Sequence, residues 1–269
     1  MVKVYTWKEK DVYTVDDLIG IMRVLRGENG CPWDREQTHT SIRNNLLEEA
    51  YETVDAIDRL DDTDMVEELG DLLLQIVFHC QMAEERGAYN LNDVADGICK
   101  KLIYRHPHIF SNVVAKTSDE VLNNWDNLKK KEKHMTSYSD TLKAVPKSFP
   151  ACIRAQKIQK RASKAGYDFD SVSDAVTKIE EELAELKDDI SINDNTSAAA
   201  ELGDLLFSVI NTARHLKVDA EEQLSASTER FISRFSLAED LAVADNLDLA
   251  DLSNEERDVL WERSKKLNN

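Results

Sequence analysis

The sequence predicts an all-α protein that contains two tandem copies of one helical bundle. Glycine and proline are scarce, with 8 and 4 among 269 residues, and these residues interrupt helices most often. Apolar residues recur at three- and four-residue spacing along most of the chain, which is the period of an amphipathic helix. The chain also repeats itself at a fixed interval of 133 residues, which predicts two copies of the same fold.

The repeat rests on two acidic blocks in each half of the chain. In the first half, the pattern EExxE occupies residues 48–52 and ELGDLL follows at 68–73. In the second half, the same two blocks occupy 181–185 and 201–206. Nine identical residues at one offset indicate an internal duplication, whereas a single EExxE in so acidic a chain would mean little.

A segment without clear periodicity separates the two copies. It contains Pro146 and Pro150 together with several serine and threonine residues, which is typical of a connection between helices. We therefore predict a first domain over residues 1–135, a linker over 136–150 and a second domain over 151–269.

Within each copy, the pattern predicts two helices joined by a short turn. In the first copy a periodic segment over 46–57 is followed by a break at 61–63. The next segment, 69–78, is apolar on nearly all sides, which predicts a fully buried helix. The second copy has a turn at 191–195 and a similar apolar segment at 202–210. Each copy should therefore contain an antiparallel helical hairpin.

The hairpin geometry predicts a cluster of four carboxylates in each copy. Residues three apart share one face of a helix, and antiparallel helices bring together residues that are equidistant from the turn. Glu52 and Glu68 lie eight residues on either side of position 60, and Glu49 and Asp71 lie eleven residues on either side. The corresponding residues of the second copy, centred on position 193, are Glu182, Glu185, Glu201 and Asp204.

These quartets predict a divalent metal site in each copy. Four adjacent carboxylates would raise one another's pKa values unless a cation lay between them, and an all-oxygen set suits Mg²⁺ first and Mn²⁺ next. A solvated acidic face is the alternative, but it does not explain why each quartet adjoins the most apolar helix of its copy. Gly70 and Gly203, which weaken a helix, predict close packing beside the site. A di-iron centre would require Glu-x-x-His, and neither His79 nor His215 has a glutamate three residues earlier.

At these residues the chain resembles a known family. The EExxE and ExxD blocks are similar to the motif of the all-α nucleoside triphosphate pyrophosphohydrolases. Segments 30–34 (GCPWD), 105–110 (RHPHIF) and 154–160 (RAQKIQK) resemble the MazG family itself. The resemblance covers nearly the whole chain and implies Mg²⁺-dependent hydrolysis of ATP and other nucleoside triphosphates, with deoxynucleotides included, to a monophosphate and pyrophosphate. It also implies a homodimer of helical bundles.

The resemblance further implies roles for residues outside the quartets. Glu181, or Glu48 in the first copy, would orient the attacking water. Trp261 would stack on the base or ribose, and stacking tolerates any base, so we expect broad base specificity. The residues implied in substrate binding are Lys178, Arg230, Arg234, Trp261, Lys265, Arg105 and Trp125. Two simpler interpretations stay open, because Trp125 and Trp261 could be core residues and Lys265 could belong to a solvated helix end.

Composition limits the possible partners and location. A formal net charge of −18 argues against general nucleic-acid binding, which requires a basic face, but allows a small phosphorylated substrate held through a cation. No apolar run approaches the length of a membrane span, and the four cysteines show no disulfide pattern. We expect a cytoplasmic protein without membrane contact. The non-enzymatic alternative is a helical interaction module that folds and dimerises without turnover.

The two copies should differ in activity. Lys178 has Asn45 as its counterpart at the repeat offset, so the first copy lacks that cation. The first copy also carries Asp64 and Glu67, where the second has Ser197 and Ala200, and it has Lys101 in place of Arg230. Because each difference disfavours a polyanionic substrate in the first copy, we expect the second copy to carry more of the hydrolysis.

Overall fold

The computed structural model describes residues 9–113, 117–132 and 135–267. These residues form α-helices and one 3₁₀ helix, with no strand among them, so the predicted all-α class is confirmed. The α-helices are α1 (Val15–Arg26), α2 (Pro32–Glu36), α3 (Arg43–Asp58), α4 (Asp62–Glu85), α5 (Leu91–Arg105), α6 (Pro107–Phe110), α7 (Ser118–Glu132), α8 (Tyr138–Lys143), α9 (Ala151–Ser163), α10 (Val172–Ser191), α11 (Asn195–His215), α12 (Ala220–Ala244) and α13 (Asn254–Leu267). Within the described ranges, no helix is long and apolar enough to cross a membrane.

The chain divides into two compact units, 1–128 and 129–269. The segment 136–150, which we predicted as a linker, contains α8, and α8 packs against α9 of the second unit. Val145 is 2% exposed, and the guanidinium of Arg161 donates a hydrogen bond to the carbonyl of Thr141. This segment is therefore part of the second unit's packing, while the exact domain boundaries stay a prediction.

Each unit contains the antiparallel hairpin that the sequence predicts. The hairpins are α3 with α4 and α10 with α11, and each is the most extensive helix pair of its unit. The residues at the two predicted centres, Leu60 and Asn193, adopt left-handed backbone conformations, with φ of 55° and 58°. The next residues, Asp61 and Asp194, cap α4 and α11 by accepting hydrogen bonds from backbone amides of the first turn. The repeat therefore extends to the turn and the cap.

The remaining helices support these hairpins separately in each unit. In the first unit, α1 packs against α4, and their contact is a cluster of buried apolar residues that includes Met22, Val77 and Phe78. In the second unit, α9 packs against both α11 and α12, and α12 packs against α13. The buried residues Ala238, Ala242, Leu252 and Leu260 form the cluster between α12, α13 and the preceding 3₁₀ segment.

The prediction that the apolar helices are buried on all sides is wrong for the single chain. On α4, Leu69 is 48% exposed and Ile76 is 37% exposed. On α11, Leu206 is 57% exposed. The prediction of close packing at Gly70 and Gly203 is also wrong, because a Cβ at either position would meet no atom within 4 Å. Each of these helices thus has one apolar face in the core of its own unit and a second apolar face that the described residues of that unit leave uncovered.

Candidate functional site

The hairpins bring carboxylates from two helices together in each unit. In the first unit, Glu49, Glu68 and Asp71 each provide a ligand atom within 4.8 Å of those of the other two. In the second unit, Glu182, Glu201 and Asp204 meet the same criterion. The convergence follows from the antiparallel arrangement, since these residues lie at matching distances from the two turns.

The fourth carboxylate of each predicted quartet lies beside its cluster. Glu52 and Glu185 are exposed. Loss of hydration, followed by the negative charge of Glu52, raises the pKa of Glu68. In the second unit, loss of hydration and then the charge of Glu185 raise the pKa of Glu201. Both clusters therefore contain negative charges that repel one another.

This donor set fits a hard divalent cation. The pKa of Glu49 is raised by burial first and by the charge of Asp71 next, so the first cluster also contains uncompensated charge on α3. All ligand atoms are carboxylate oxygens, which Mg²⁺ and Mn²⁺ prefer. A cation among them would favour the ionised forms and relieve the repulsion.

Lys178 distinguishes the second cluster from the first. Its Nζ lies 2.8 Å from Oε1 of Glu181 and 2.6 Å from Oε1 of Glu182, and these bonds raise the pKa of Lys178 above its ordinary value. Glu182 is only 5% exposed, so the lysine compensates a buried carboxylate. In the first cluster, the amide Nε2 of Gln75 lies 3.5 Å from Oε1 of Glu49, and a neutral group therefore contacts the corresponding glutamate.

The extra acidic residues of the first copy act on its cluster. The charges of Glu67 and Asp64 both contribute to the raised pKa of Glu68, after desolvation and the charge of Glu52. Asp64 is partly compensated, because its Oδ2 lies 2.8 Å from Nη1 of Arg59. Glu67 is thus the stronger reason to expect weaker anion binding in the first copy.

A cavity of about 570 Å³ adjoins the second cluster. Lys178, Glu182 and Asp204 form part of its lining. The residues that line the rest of it are Leu142, Ile158, Gln159, Ala162, Gly166, Tyr167, Asp168, Phe169, Phe207, Ser208, Asn211 and Arg214. The sequence analysis did not identify this cavity, although Ser208 and Asn211 follow Asp204 at positions i+4 and i+7, which share one face of α11.

Asp168 attaches one wall of this cavity to α11. Its Oδ2 lies 3.0 Å from Nη1 of Arg214, and its Oδ1 lies 3.0 Å from Nε2 of His215. Burial raises the pKa of Asp168, but the hydrogen bond and charge of Arg214 outweigh it, so the pKa is lowered. The loop before α10, which includes Tyr167 and Phe169, is therefore held against the helix that carries Asp204.

The other predicted substrate residues contact neighbours within their own units. Arg105 is 6% exposed, and its guanidinium carbon lies 4.9 Å from the centre of the Trp125 ring. In the second unit, the rings of Trp261 and Phe231 are 5.2 Å apart. Nζ of Lys265 lies 2.5 Å from Oε1 of Glu262.

The predicted phosphate-binding arginines lie on α12. Arg230 is exposed, whereas Arg234 is half-buried and its Nε has no hydrogen-bond partner among the described residues. Neither arginine lines the cavity beside Glu182, and Trp261 and Lys265 do not line it either. Contact of these residues with substrate stays a prediction, as does the water-orienting role of the exposed Glu181 and Glu48.

The comparisons with known proteins give the family of the chain. The family model described as the MazG nucleotide pyrophosphohydrolase domain matches residues 37–110 and 170–236. The chain belongs to the MazG family. The two matched segments contain both carboxylate clusters and both hairpins. Membership classifies the protein as a hydrolase of phosphorus anhydrides, and the resemblance inferred from the acidic blocks is confirmed.

Relatives of this MazG protein share most of its length. The nucleoside triphosphate pyrophosphohydrolase of Escherichia coli (strain K12) is 41% identical over 255 residues, which cover 94% of this chain and 97% of that protein. The nucleoside triphosphate pyrophosphohydrolase/pyrophosphatase MazG of Thermotoga maritima is 42% identical over 250 residues, which cover 93% and 95%. YabN of Bacillus subtilis is 44% identical over 247 residues, which cover 91% of this chain and 50% of that protein.

Proposed function

We propose that this MazG protein hydrolyses nucleoside triphosphates to a nucleoside monophosphate and pyrophosphate in the presence of Mg²⁺, with Mn²⁺ as a substitute. The observation that carries the proposal is the three-carboxylate cluster of each unit in a chain of the MazG family. The names of its relatives in Escherichia coli and Thermotoga maritima support the same reaction. The E. coli relative and this chain cover nearly all of each other's length, so the similarity is not limited to one shared domain.

The carboxylates would hold the cation, and neighbouring residues would act on the substrate. When bound, the cation would neutralise charge on the phosphates and activate water. The proposed ligands are Glu182, Glu185, Glu201 and Asp204 in the second unit, and Glu49, Glu52, Glu68 and Asp71 in the first. Lys178 would exchange its bond with Glu182 for a phosphate oxygen, because a cation beside Glu182 competes with the ammonium. Glu181, and Glu48 in the first unit, are our candidates for orienting the attacking water, since both are exposed outside the clusters.

Further contacts would fix the phosphates, and we expect little selection among bases. We propose that Arg230 and Arg234 bind phosphate oxygens, because a guanidinium matches them with two parallel hydrogen bonds. The unpartnered Nε of Arg234 supports this role. Since phosphates and cation are common to all substrates, we propose that ribo- and deoxyribonucleotides of every base, ATP included, are accepted.

We also propose that the working form is a homodimer. The uncovered apolar faces of α4 and α11, which include Leu69 and Leu202 at 48% exposure each, would be covered by a second copy. The small surface at Gly70 and Gly203 would allow a helix to approach closely. Light scattering coupled to size-exclusion chromatography should give twice the chain mass of 30.6 kDa, and a Leu69→Lys, Leu202→Lys double variant should give the monomer mass.

The charge and the thiols of the chain support our proposals for its partners and compartment. A net charge of −18 supports a small-molecule substrate rather than a nucleic acid. All four cysteines are unpaired, which supports a reducing compartment such as the cytoplasm.

Product analysis tests the reaction. Incubation with each of the common nucleoside triphosphates and Mg²⁺ should release monophosphate and pyrophosphate, and EDTA should abolish the release. Glu182→Gln should lose most of the activity. Glu180→Gln is the matched control, because Glu180 is an exposed residue of α10 outside the cluster, and it should retain full activity.

Three results would contradict the proposal. Release of a nucleoside diphosphate and orthophosphate would show cleavage between the β and γ phosphates instead of the α and β phosphates. Full activity in EDTA would show that the reaction does not need a divalent cation. A dimer that binds nucleotides without turnover would instead support the interaction-module alternative.

A further inference from the structure

The second unit has another cavity, which lies between α9 and the turn that joins α11 to α12. Its volume of about 600 Å³ is within the roughly 300–1,000 Å³ range of small-molecule pockets. Five cationic residues and one carboxylate line this basic cavity, together with four uncharged residues. The cations are Lys157, Lys160, Lys164, Arg214 and Lys217, the carboxylate is Asp219, and the uncharged residues are Ile153, Gln156, Ser163 and Val218. Because the whole chain carries a net charge of −18, this local excess of positive charge indicates a specific anionic ligand.

The lysines of the basic cavity are poorly compensated. Lys157, Lys160 and Lys164 follow one another at spacings of three and four residues, so they share one face of α9, where like charges destabilise a helix. Lys157, Lys160 and Lys217 have no ion-pair partner among the described residues. Asp219 is engaged as the N-cap of α12, where its side chain accepts two backbone amides. An anion in the cavity would therefore relieve repulsion that the protein itself leaves.

Lys217 occupies a backbone position that favours glycine. It follows the C-cap of α11 and has φ of 60°, a left-handed conformation that is unfavourable for a residue with a Cβ. After the C-cap of α4, the first unit has Gly87, with φ of 67°, and glycine adopts this conformation without a steric penalty. The second unit thus has a cationic side chain at the cavity where glycine would be less strained.

The first unit has no basic cavity at the corresponding place. Its cavity between α1 and α4 measures about 240 Å³, and the charged residues of its lining are Arg23 and Glu84. These two residues neutralise each other, since Nη2 of Arg23 lies 2.9 Å from Oε1 of Glu84. At the repeat offset, Gln81 corresponds to Arg214, so this cation is also absent. The basic lining is therefore particular to the second unit and is not a consequence of the repeated fold.

Gln156 fixes the walls of the basic cavity relative to each other. Its Nε2 donates to the carbonyl of Val218 at 2.8 Å, and its Oε1 accepts from the amide of Ala220 at 3.1 Å. Both partners belong to the segment that leads into α12, so the two bonds attach this segment to α9. The cavity is consequently formed before any ligand binds, which lowers the entropic cost of binding.

Arg214 connects the basic cavity to the cavity beside Glu182, because it lines both. Its side chain is 14% exposed, and its Nη1 lies 3.0 Å from Oδ2 of Asp168. Asp168 holds the loop with Tyr167 and Phe169 against α11, and this loop is a wall of the cavity beside Glu182. A phosphate oxygen in the basic cavity would compete with Asp168 for the guanidinium, which binds either anion through two hydrogen bonds. Binding in one cavity would thereby loosen a wall of the other.

We propose that the basic cavity binds a small inorganic polyphosphate, a chain of two or three phosphates, and that this ligand inhibits hydrolysis through Arg214. Only the inhibition rests on the proposed function. The concave shape and the volume suit a small molecule, whereas an acidic protein or a nucleic acid would be repelled by the net charge of the chain. The lining that the described residues provide contains no aromatic side chain on which a base could stack, so the phosphates alone account for the binding.

Calorimetry with inorganic tripolyphosphate in EDTA tests the binding. Without a cation the carboxylate clusters repel this probe, so only the basic cavity should bind it. The Lys157→Gln, Lys160→Gln double variant should bind about tenfold more weakly, as expected for two exposed ion pairs, and added salt should weaken binding to the wild type. Lys143→Gln, Lys187→Gln is the matched control, because it removes two exposed lysines outside both cavities, and it should bind as the wild type does. Circular dichroism checks that each variant is folded.

Release of AMP from ATP, with Mg²⁺ in excess over all phosphates, tests the inhibition. Saturating tripolyphosphate should lower kcat of the wild type about fivefold, a common size for coupling between two sites. Lys157→Gln, Lys160→Gln should keep the uninhibited rate, since neither lysine lines the cavity beside Glu182. At the tripolyphosphate concentration that half-inhibits the wild type, this variant should lose most of the inhibition.

Several outcomes would overturn the proposal. They are absence of tripolyphosphate binding in EDTA, and equal binding by the wild type and Lys157→Gln, Lys160→Gln. Tighter binding of ATP than of tripolyphosphate in EDTA would indicate a nucleotide site, and equally tight binding of hexaglutamate would indicate a site for acidic peptides. Inhibition that raises only KM would place the inhibitor at the carboxylates. Binding as expected in a protein without any hydrolysis would contradict the proposed function, whereas hydrolysis without binding would overturn the polyphosphate site.

Discussion

The equivalent substitutions Glu201→Gln and Glu68→Gln should have very unequal effects. Both replace a carboxylate of a three-carboxylate cluster with a neutral amide of the same size, and both residues are half-buried. The two hairpins are matched in turn, cap and cluster, so a difference in activity must come from the surroundings. We expect Glu201→Gln to lose most of the hydrolysis and Glu68→Gln to lose little.

The expected inequality can be estimated from Lys178. Lys178, which bonds Glu182 at 2.6 Å, is one-third exposed. A charge-assisted bond from it to phosphate should contribute about 1.5 kcal/mol, at the low end of the usual range, or roughly tenfold in rate. The second copy would then exceed the first about tenfold in kcat/KM, so Glu68→Gln should cost about a tenth of the activity.

The assay measures initial rates of pyrophosphate release at saturating Mg²⁺ and at substrate concentrations well below KM, where independent sites contribute additively. The Glu201→Gln, Glu68→Gln double variant gives the background. A loss of more than half the activity in Glu68→Gln would refute the reasoning, and so would retention of more than half in Glu201→Gln. Either result would show that the charge of Lys178 does not decide which copy is active.

Three further predictions concern single residues. Leu60 has φ of 55° and is 89% exposed, so Leu60→Asn should relieve left-handed strain, which asparagine tolerates, and raise the free energy of unfolding by about 0.5–1 kcal/mol in urea titrations. A hydrogen bond from Arg26 lowers the pKa of Glu85 from 4.5, so Glu85→Gln should cost about 1 kcal/mol of stability at pH 7. That cost should fade as the pH falls through the lowered pKa, because the ion pair contributes only while Glu85 is ionised. Lys178→Met should lower kcat/KM about tenfold.

Each of these predictions has its own control. Asn193→Leu is the reverse change at the second turn, and it should lower the free energy of unfolding by about as much as Leu60→Asn raises it. If neither variant differed in stability from the wild type, the strain argument would be wrong. If the unfolding free energies of wild type and Glu85→Gln differed by the same amount at pH 3 and at pH 7, the ion pair with Arg26 would not be the source of the stability. Lys187→Met, at an exposed position of α10, should leave kcat/KM unchanged, and an equal loss there would make the effect of Lys178→Met non-specific.

The sequence determined the hairpins and the carboxylate clusters because both depend on local spacing. Helical periodicity is repeated every few residues, and two acidic blocks at one offset of 133 residues are visible without coordinates. Antiparallel helices must pair residues equidistant from their turn, so Glu49 had to meet Asp71 once position 60 was the centre. The left-handed residues Leu60 and Asn193 fall at the two centres derived from the sequence.

Only the tertiary structure decided burial and the shape of the site. The apolar pattern of α4 predicts that its residues are buried, but it does not indicate whether the same chain or a second copy covers them. The sequence therefore predicts that Leu69 is buried, whereas it is 48% exposed in the single chain. The cavity depends on α9 packing against α11, where Gln159 reaches the carbonyl of Phe207, 48 residues later in the chain. No repeating pattern in the sequence predicts such a contact, because the arrangement of whole helices decides which residues meet. The position of Gln159 therefore follows from the fold, whereas the position of the carboxylates follows from the spacing of the sequence.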